Sequence, residues 1–189
     1  MQIANIDNDR TLIQNVKKRF FALRNGILAD TLRKTGSPYR IIFGLNLPQL
    51  NEIANAFGNN KELANELWQN KNTRESRLLA PMLVAPDDIS IEEVKEWISD
   101  LTASTEEADV LCHSLLRKTS FVEQLVDELI TSLDDNKRYV ALRLAFTLIN
   151  NDSDKIRVFA ENELRKNNDK TRGIAKHLLQ EIAFLNEEC

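Results

Sequence analysis

Three polar side chains interrupt a stretch that is otherwise apolar. From Val140 to Ile149 every residue is apolar except Arg143 and Thr147, and with Tyr139 these fall at i, i+4 and i+8, one line along a helix. A guanidinium on a helix whose other faces are buried must be paired or open onto a cleft. The same region is rich in cations: between Lys137 and Lys176 there are ten Lys or Arg against five Asp or Glu. Such a surplus can bind phosphate if it gathers on one face, and is ordinary solvated surface if it does not. The two cysteines, Cys112 and Cys189, have neither metal-ligand nor disulfide-framework spacing, so no metal, no cofactor and a reducing environment are expected.

The elements that must position these groups are helices. Asn59 to Leu116 reads as four short amphipathic helices, with Asn60 and Thr73 as candidate N-caps and S-x-x-E capping boxes at Ser90 and Ser104. A helix before them is capped by Asn46, with Pro48 in its first turn, and is ended by Gly58. The N-terminal helix is expected to start at Asp7 or Asn8 and to break near Gly26 and again over Thr35-Gly36-Ser37-Pro38. After the array, a third box at Ser120, then Asp134 or Asp135, Asp152 or Ser153, and Asp169 open the remaining helices. Connections of a few residues force neighbouring helices antiparallel. TRESRLLAPMLV, KRYVALRLAFTL and KIRVFAENEL share a polar start, an arginine and an apolar run, a weak repeat of HEAT type. The expected fold is all-α, a HEAT-like repeat superhelix built as a curved array of antiparallel helix pairs. Residues 1–35 form an N-terminal helical segment packed on a repeat domain at 36–189.

Composition agrees. The chain has 189 residues, 42% hydrophobic, with only 5 Gly and 4 Pro, enough to bury one core and too poor in β-branched alternation for a sheet. The opening MQIANIDNDR carries no apolar h-region, and no apolar run approaches the roughly 18 residues of a membrane span, so a cytoplasmic location and no membrane partner are expected. The formal net charge is −4, unevenly divided: 8 Lys+Arg against 4 Asp+Glu over residues 1–58, 7 against 15 over 59–133, and 10 against 10 over 134–189. Overall acidity counts against nucleic acid, where phosphate neutralisation supplies most of the non-specific affinity.

From about Arg33 to the C-terminus, the segments YRIIFGLNLPQLNEIA, NKELANELWQNKNTRESRLLAPMLV, IEEVKEWISDL, ADVLCHSLLRKT and ALRLAF follow one another as in the DNA alkylation repair family of HEAT-like glycosylases, which the chain resembles. The resemblance implies a concave, partly basic surface that cradles double-stranded DNA and releases cationic alkylated purines by cleaving the N-glycosidic bond. Such a base already carries positive charge and leaves without a strong general acid, so a carboxylate need only stabilise the oxocarbenium-like sugar and position water. In the family this falls to one Asp, one Arg and two Trp. Asp109 falls on the carboxylate and Arg143 on the arginine, as catalytic residues. Thr105 and Asn162 occupy the two tryptophan positions, so the leading expectation is a DNA-binding protein with base excision reduced or lost.

Two other functions remain open at this point: an active alkylpurine N-glycosylase using Asp109 and Arg143 with a different aromatic, and a protein-interaction scaffold. Arg74, Lys137, Arg138, Lys155, Arg157, Lys170 and Arg172 are the candidate DNA contacts. Grouped beside Asp109 and Arg143 they favour DNA; scattered, they favour the scaffold. Asp109 has His113 at i+4, with which it can form a solvated pair, while Arg143 can bridge to a neighbouring carboxylate such as Asp109 itself. Trp68 and Trp97 sit at core-facing spacing, whereas Arg77, at the start of its helix, can touch phosphate or serve as the repeat's structural arginine. Asp109 and Arg143 are expected to approach each other, because a charge on a buried helix needs a partner.

Overall fold

The structure, a computed structural model, describes residues 2–102 and 104–187. The chain divides into two compact units, Met1–Ile89 and Ser90–Cys189. The first contains α1 (Gln2–Ala22), α2 (Gly26–Lys34), α3 (Leu47–Phe57), α4 (Lys61–Gln69) and α5 (Arg74–Leu79). The second contains α6 (Ile91–Ser99), α7 (Thr105–Ser114), α8 (Val122–Ile130), α9 (Asp135–Ala145), α10 (Ser153–Lys166) and α11 (Arg172–Glu187). Among the described residues no strand forms; a single parallel bridge joins Ile41 to Thr73.

In the first unit the segment between α2 and α3 is held by buried charge. Glu75 is fully buried, and its carboxylate accepts the backbone N–H groups of Phe43 at 3.0 Å, Gly44 at 2.9 Å and Leu45 at 3.3 Å, and Arg74 Nη1 at 3.0 Å. Arg74 also donates to the Leu45 carbonyl at 2.9 Å. Gly44 has φ +79°, and a Cβ there would lie 2.2 Å from the Asn25 carbonyl oxygen, so the chain passes the start of α2 only because the residue is glycine. Asn46 and Gln49 complete a reciprocal capping box at α3. Trp68 is 1% exposed, and the Arg77 guanidinium lies 3.6 Å from the centre of its ring.

The second unit builds its core from Val94, Ile98, Leu111, Leu125, Val140, Leu142, Leu144, Ile156 and Leu178, all buried. Residues 131–134 join α8 to α9 and residues 167–171 join α10 to α11, connectors short enough to fold each helix back along its predecessor. Arg138 ties α9 to α10: its Nε lies 3.1 Å from the carboxylate of the fully buried Glu163, its Nη1 donates to the Ser132 carbonyl at 2.9 Å, and Nη2 pairs with Asp135. Burial alone would raise the Glu163 carboxyl; hydrogen bonds from Lys166 and Arg138 outweigh it and hold it below the usual carboxylate range.

Several helix starts differ from those read in the sequence. α1 begins at Gln2, so Asp7 and Asn8 lie inside it. Asn60, Ser90, Asp134 and Asp152 cap as expected, whereas Thr73 and Ser104 make no side-chain cap bond. Glu107 is buried and accepts from the Thr102 backbone at 2.7 Å instead of closing a box on Ser104. The box at Ser120 does not form, since α8 starts at Val122 after Phe121. Asn168, not Asp169, supplies the oxygen at the approach to α11, accepting from Lys170 and Thr171. α9 ends at Ala145, so Thr147, read as the third residue of its polar line, lies beyond it. Cys189 lies outside the described residues.

Replacing Glu75 with alanine strands three buried backbone N–H groups and an arginine. The expected loss is about 3–5 kcal/mol of unfolding free energy, read from urea denaturation. A loss below about 1 kcal/mol would contradict this role for the carboxylate.

Candidate functional site

Asp109 sits in the middle of α7, on the rim of a helix whose Ala108, Val110, Leu111 and Cys112 are buried. Across from it, α9 presents Tyr139 and Arg143, one turn apart. The Tyr139 hydroxyl donates to Asp109 Oδ1 at 2.8 Å, and Arg143 Nε approaches the same oxygen at 2.8 Å. Asp109 and Arg143 therefore meet as the sequence requires, with side chains 37% and 32% exposed. Asp109 Oδ2 has no hydrogen-bond partner among the described residues. The result is a partly exposed carboxylate held through one oxygen, on two packed helices.

The surroundings respond to that charge. Burial and the neighbouring Asp109 push the Tyr139 phenol well above its ordinary range, so it stays a proton donor. Burial, reinforced by Asp109, likewise pushes the Cys112 thiol up and leaves it inert. His113 does not pair with Asp109. It is exposed, and Arg117 Nη2 lies 3.4 Å from its Nε2. Partial desolvation and then the cations Arg117, Lys118 and Arg143 lower its pKa, so the imidazole is neutral at pH 7. Tyr139 was visible in the sequence as part of the polar line on α9, but its hydrogen bond to Asp109 was not.

The basic residues expected to touch DNA do not form one group. Arg74 and Arg138 are 4% and 6% exposed and are committed to Glu75 and Glu163; a guanidinium that neutralises a buried carboxylate cannot also serve a phosphate, and this corrects the expectation for both. Lys155 is exposed but paired with Asp127, and Arg157 lies 3.6 Å from Asp154. Lys170 bonds Asn136, and burial lowers its pKa. Lys137 is half-buried, and Arg172 is exposed at the start of α11. Along α8 an open depression of about 640 Å³ is lined by Ser120, Phe121, Glu123, Gln124, Asp127 and Glu128, with Asp127 paired to Lys155 and Glu128 to Lys95.

A family model described as DNA alkylation repair enzyme matches residues 16–186. The chain belongs to the DNA alkylation repair family. A solved structure is also similar: a member of a family of proteins related to the HEAT-like repeat DNA glycosylases, with affinity for branched DNA structures. It aligns with a TM-score of 0.75 and 19% identity over 88% of this chain and 73% of that chain. At that identity the likeness establishes the fold, which is HEAT-like. Comparison with curated proteins gives no match.

In this DNA alkylation repair protein the positions carried over from the family's tryptophans hold no aromatic. Thr105 is exposed at the first residue of α7, one turn before Asp109, and Asn162 is exposed on α10, where it accepts from Arg165 at 3.1 Å. Among the described residues no group of three or more His, Cys, Asp or Glu can hold a metal, and no helix is long and apolar enough to cross a membrane.

The coupling between Asp109 and Tyr139 can be read directly. In a Tyr39→Phe background one phenol remains, and its absorbance titration is expected to fall above the ordinary value of about 10. Asp109→Asn removes a negative charge that disfavours phenolate, so the titration should move to lower pH. A midpoint unchanged by that substitution would contradict the contact.

Proposed function

We propose that this protein binds DNA through the face carrying Asp109 and Arg143, and that its base-excision activity is reduced or lost. The family membership supports DNA as the partner, and the affinity of the structural neighbour for branched DNA adds branched substrates to plain duplex as ligands to test. The observation that carries the reading is the pairing of Asp109 with Arg143 and Tyr139, a carboxylate held in place through Oδ1 and still partly exposed. A carboxylate so placed can stabilise a cationic sugar or direct a water.

The aromatic half of the chemistry is missing. Each cation–π contact with a cationic purine contributes roughly 0.5–2 kcal/mol. With Thr105 and Asn162 in place of two indoles, the loss reaches about 4 kcal/mol, on the order of a thousandfold in kcat/KM. Asp109 alone still assists departure of a base that is already cationic, which leaves slow release as the residual activity. Arg143 then has two roles, as counter-charge to Asp109 and as a donor at the edge of the bound backbone. Arg172, exposed and without a carboxylate partner among the described residues, is the best placed of the cations first read from the sequence as a further phosphate contact.

Release of 7-methylguanine from methylated duplex DNA tests this. The expected rate is close to the spontaneous one, and any excess is removed by Asp109→Asn. Robust turnover abolished by that substitution would replace the reading with an active glycosylase. Turnover indifferent to it would place the chemistry elsewhere.

A further inference from the structure

Between α7 and α8 the chain makes a single 3-10 turn, Leu116–Lys118, whose construction is unusually firm for a connector. Leu115 and Leu116 are fully buried, and Thr119 is 4% exposed. The turn closes on itself through Lys118 N–H to the Leu115 carbonyl at 3.0 Å, Thr119 N–H to the Leu116 carbonyl at 3.1 Å, and the Thr119 hydroxyl to the same carbonyl at 2.8 Å. Anchored on both sides, it projects Arg117 and Lys118 into solvent, where both are exposed. Neither forms an ion pair among the described residues; the one side-chain contact is Arg117 to His113. This distinguishes them from Lys155 and Arg157, which face carboxylates.

These cations adjoin the Asp109 site. His113 lies one turn beyond Asp109 on α7, and the charges that act on its ring are Arg117, Lys118 and Arg143, with no carboxylate among them. His113 therefore stands where the turn and Arg143 come together. We propose that Arg117 and Lys118, with His113 and Arg143 beside them, form a phosphate-binding step that seats the DNA backbone next to Asp109. This rests on the DNA-binding reading above and names residues for it that the charge pattern of the sequence conceals, since they fall within the acidic block 59–133. The backbone of the turn is fixed before binding, so only the two cationic side chains have to order, and the His113 imidazole adds a hydrogen-bonding group beside them.

The test is the salt dependence of DNA affinity, measured by fluorescence anisotropy with a short plain duplex and a four-way junction. Wild type is compared with Arg117→Ala/Lys118→Ala, and with Lys17→Ala/Lys18→Ala as a change of equal charge on exposed residues of α1. Each phosphate contact contributes about 0.9 to the slope of log affinity against log salt, so the first pair should flatten it by about 1.8. Raising salt from about 50 to about 200 mM then weakens wild type about 12-fold more than the variant. Thermal melting of the variant should match wild type, because both side chains are exposed. A slope unchanged in the variant, or an equal flattening from Lys17 and Lys18, overturns this inference and leaves the DNA-binding reading standing. Failure of the wild type to bind either DNA at low salt overturns both.

Discussion

Arg143 leaves α9 from a helix whose Val140, Ala141, Leu142, Leu144 and Ala145 are all buried, so its charge must be answered close to where it emerges. Asp109 answers it from α7. Tyr139, one turn earlier on α9, donates to the same carboxylate oxygen, and a hydroxyl and a guanidinium from one helix can meet a single Oδ1 only when α7 and α9 hold one register. The burial of Leu111 and Cys112 on one helix and of Leu142 and Leu144 on the other follows from that register. The same arrangement leaves the Asp109 carboxylate partly exposed.

Charge in this protein has two uses, and burial separates them. Arg74 with Glu75 and Arg138 with Glu163 are interior pairs whose removal would strand a partner in low dielectric, so they hold segments together and face no ligand. Arg77, fully buried over Trp68, belongs with them. Arg117 and Lys118 are the opposite case, exposed and facing no carboxylate. Counting cations along the chain cannot tell these apart, since an arginine inside a polar knot and an arginine on a surface turn have the same formal charge.

That explains what the sequence disclosed and what it hid. Helix starts were legible where the capping side chain had no competitor, as at Asn46, Asn60, Ser90 and Asp134. They were misread where a tertiary bond took the group away, as when Glu107 turns to Thr102, or where a neighbour did the work, as Asn168 does in place of Asp169. The Asp109–Arg143 pair was legible because a lone charge on an apolar helix announces its need for a partner. Tyr139 was legible as part of the polar line on α9, but its bond to Asp109 was not, because the atom a hydroxyl reaches is set by tertiary packing. Arg117 and Lys118 were masked by an acidic neighbourhood in sequence that does not surround them in space.

For this DNA alkylation repair protein with a HEAT-like fold, the proposed reading is a DNA-binding face kept at Asp109 and a grip on a cationic base lost, with no aromatic at Thr105 or Asn162. The most direct measurement is amide chemical-shift mapping of the labelled protein titrated with a short DNA duplex at low salt. The account predicts shifts concentrated on α7, the Leu116–Lys118 turn and α9, centred on Asp109, Arg117 and Arg143. Shifts confined to the first unit, or centred on the acidic depression along α8, would contradict it.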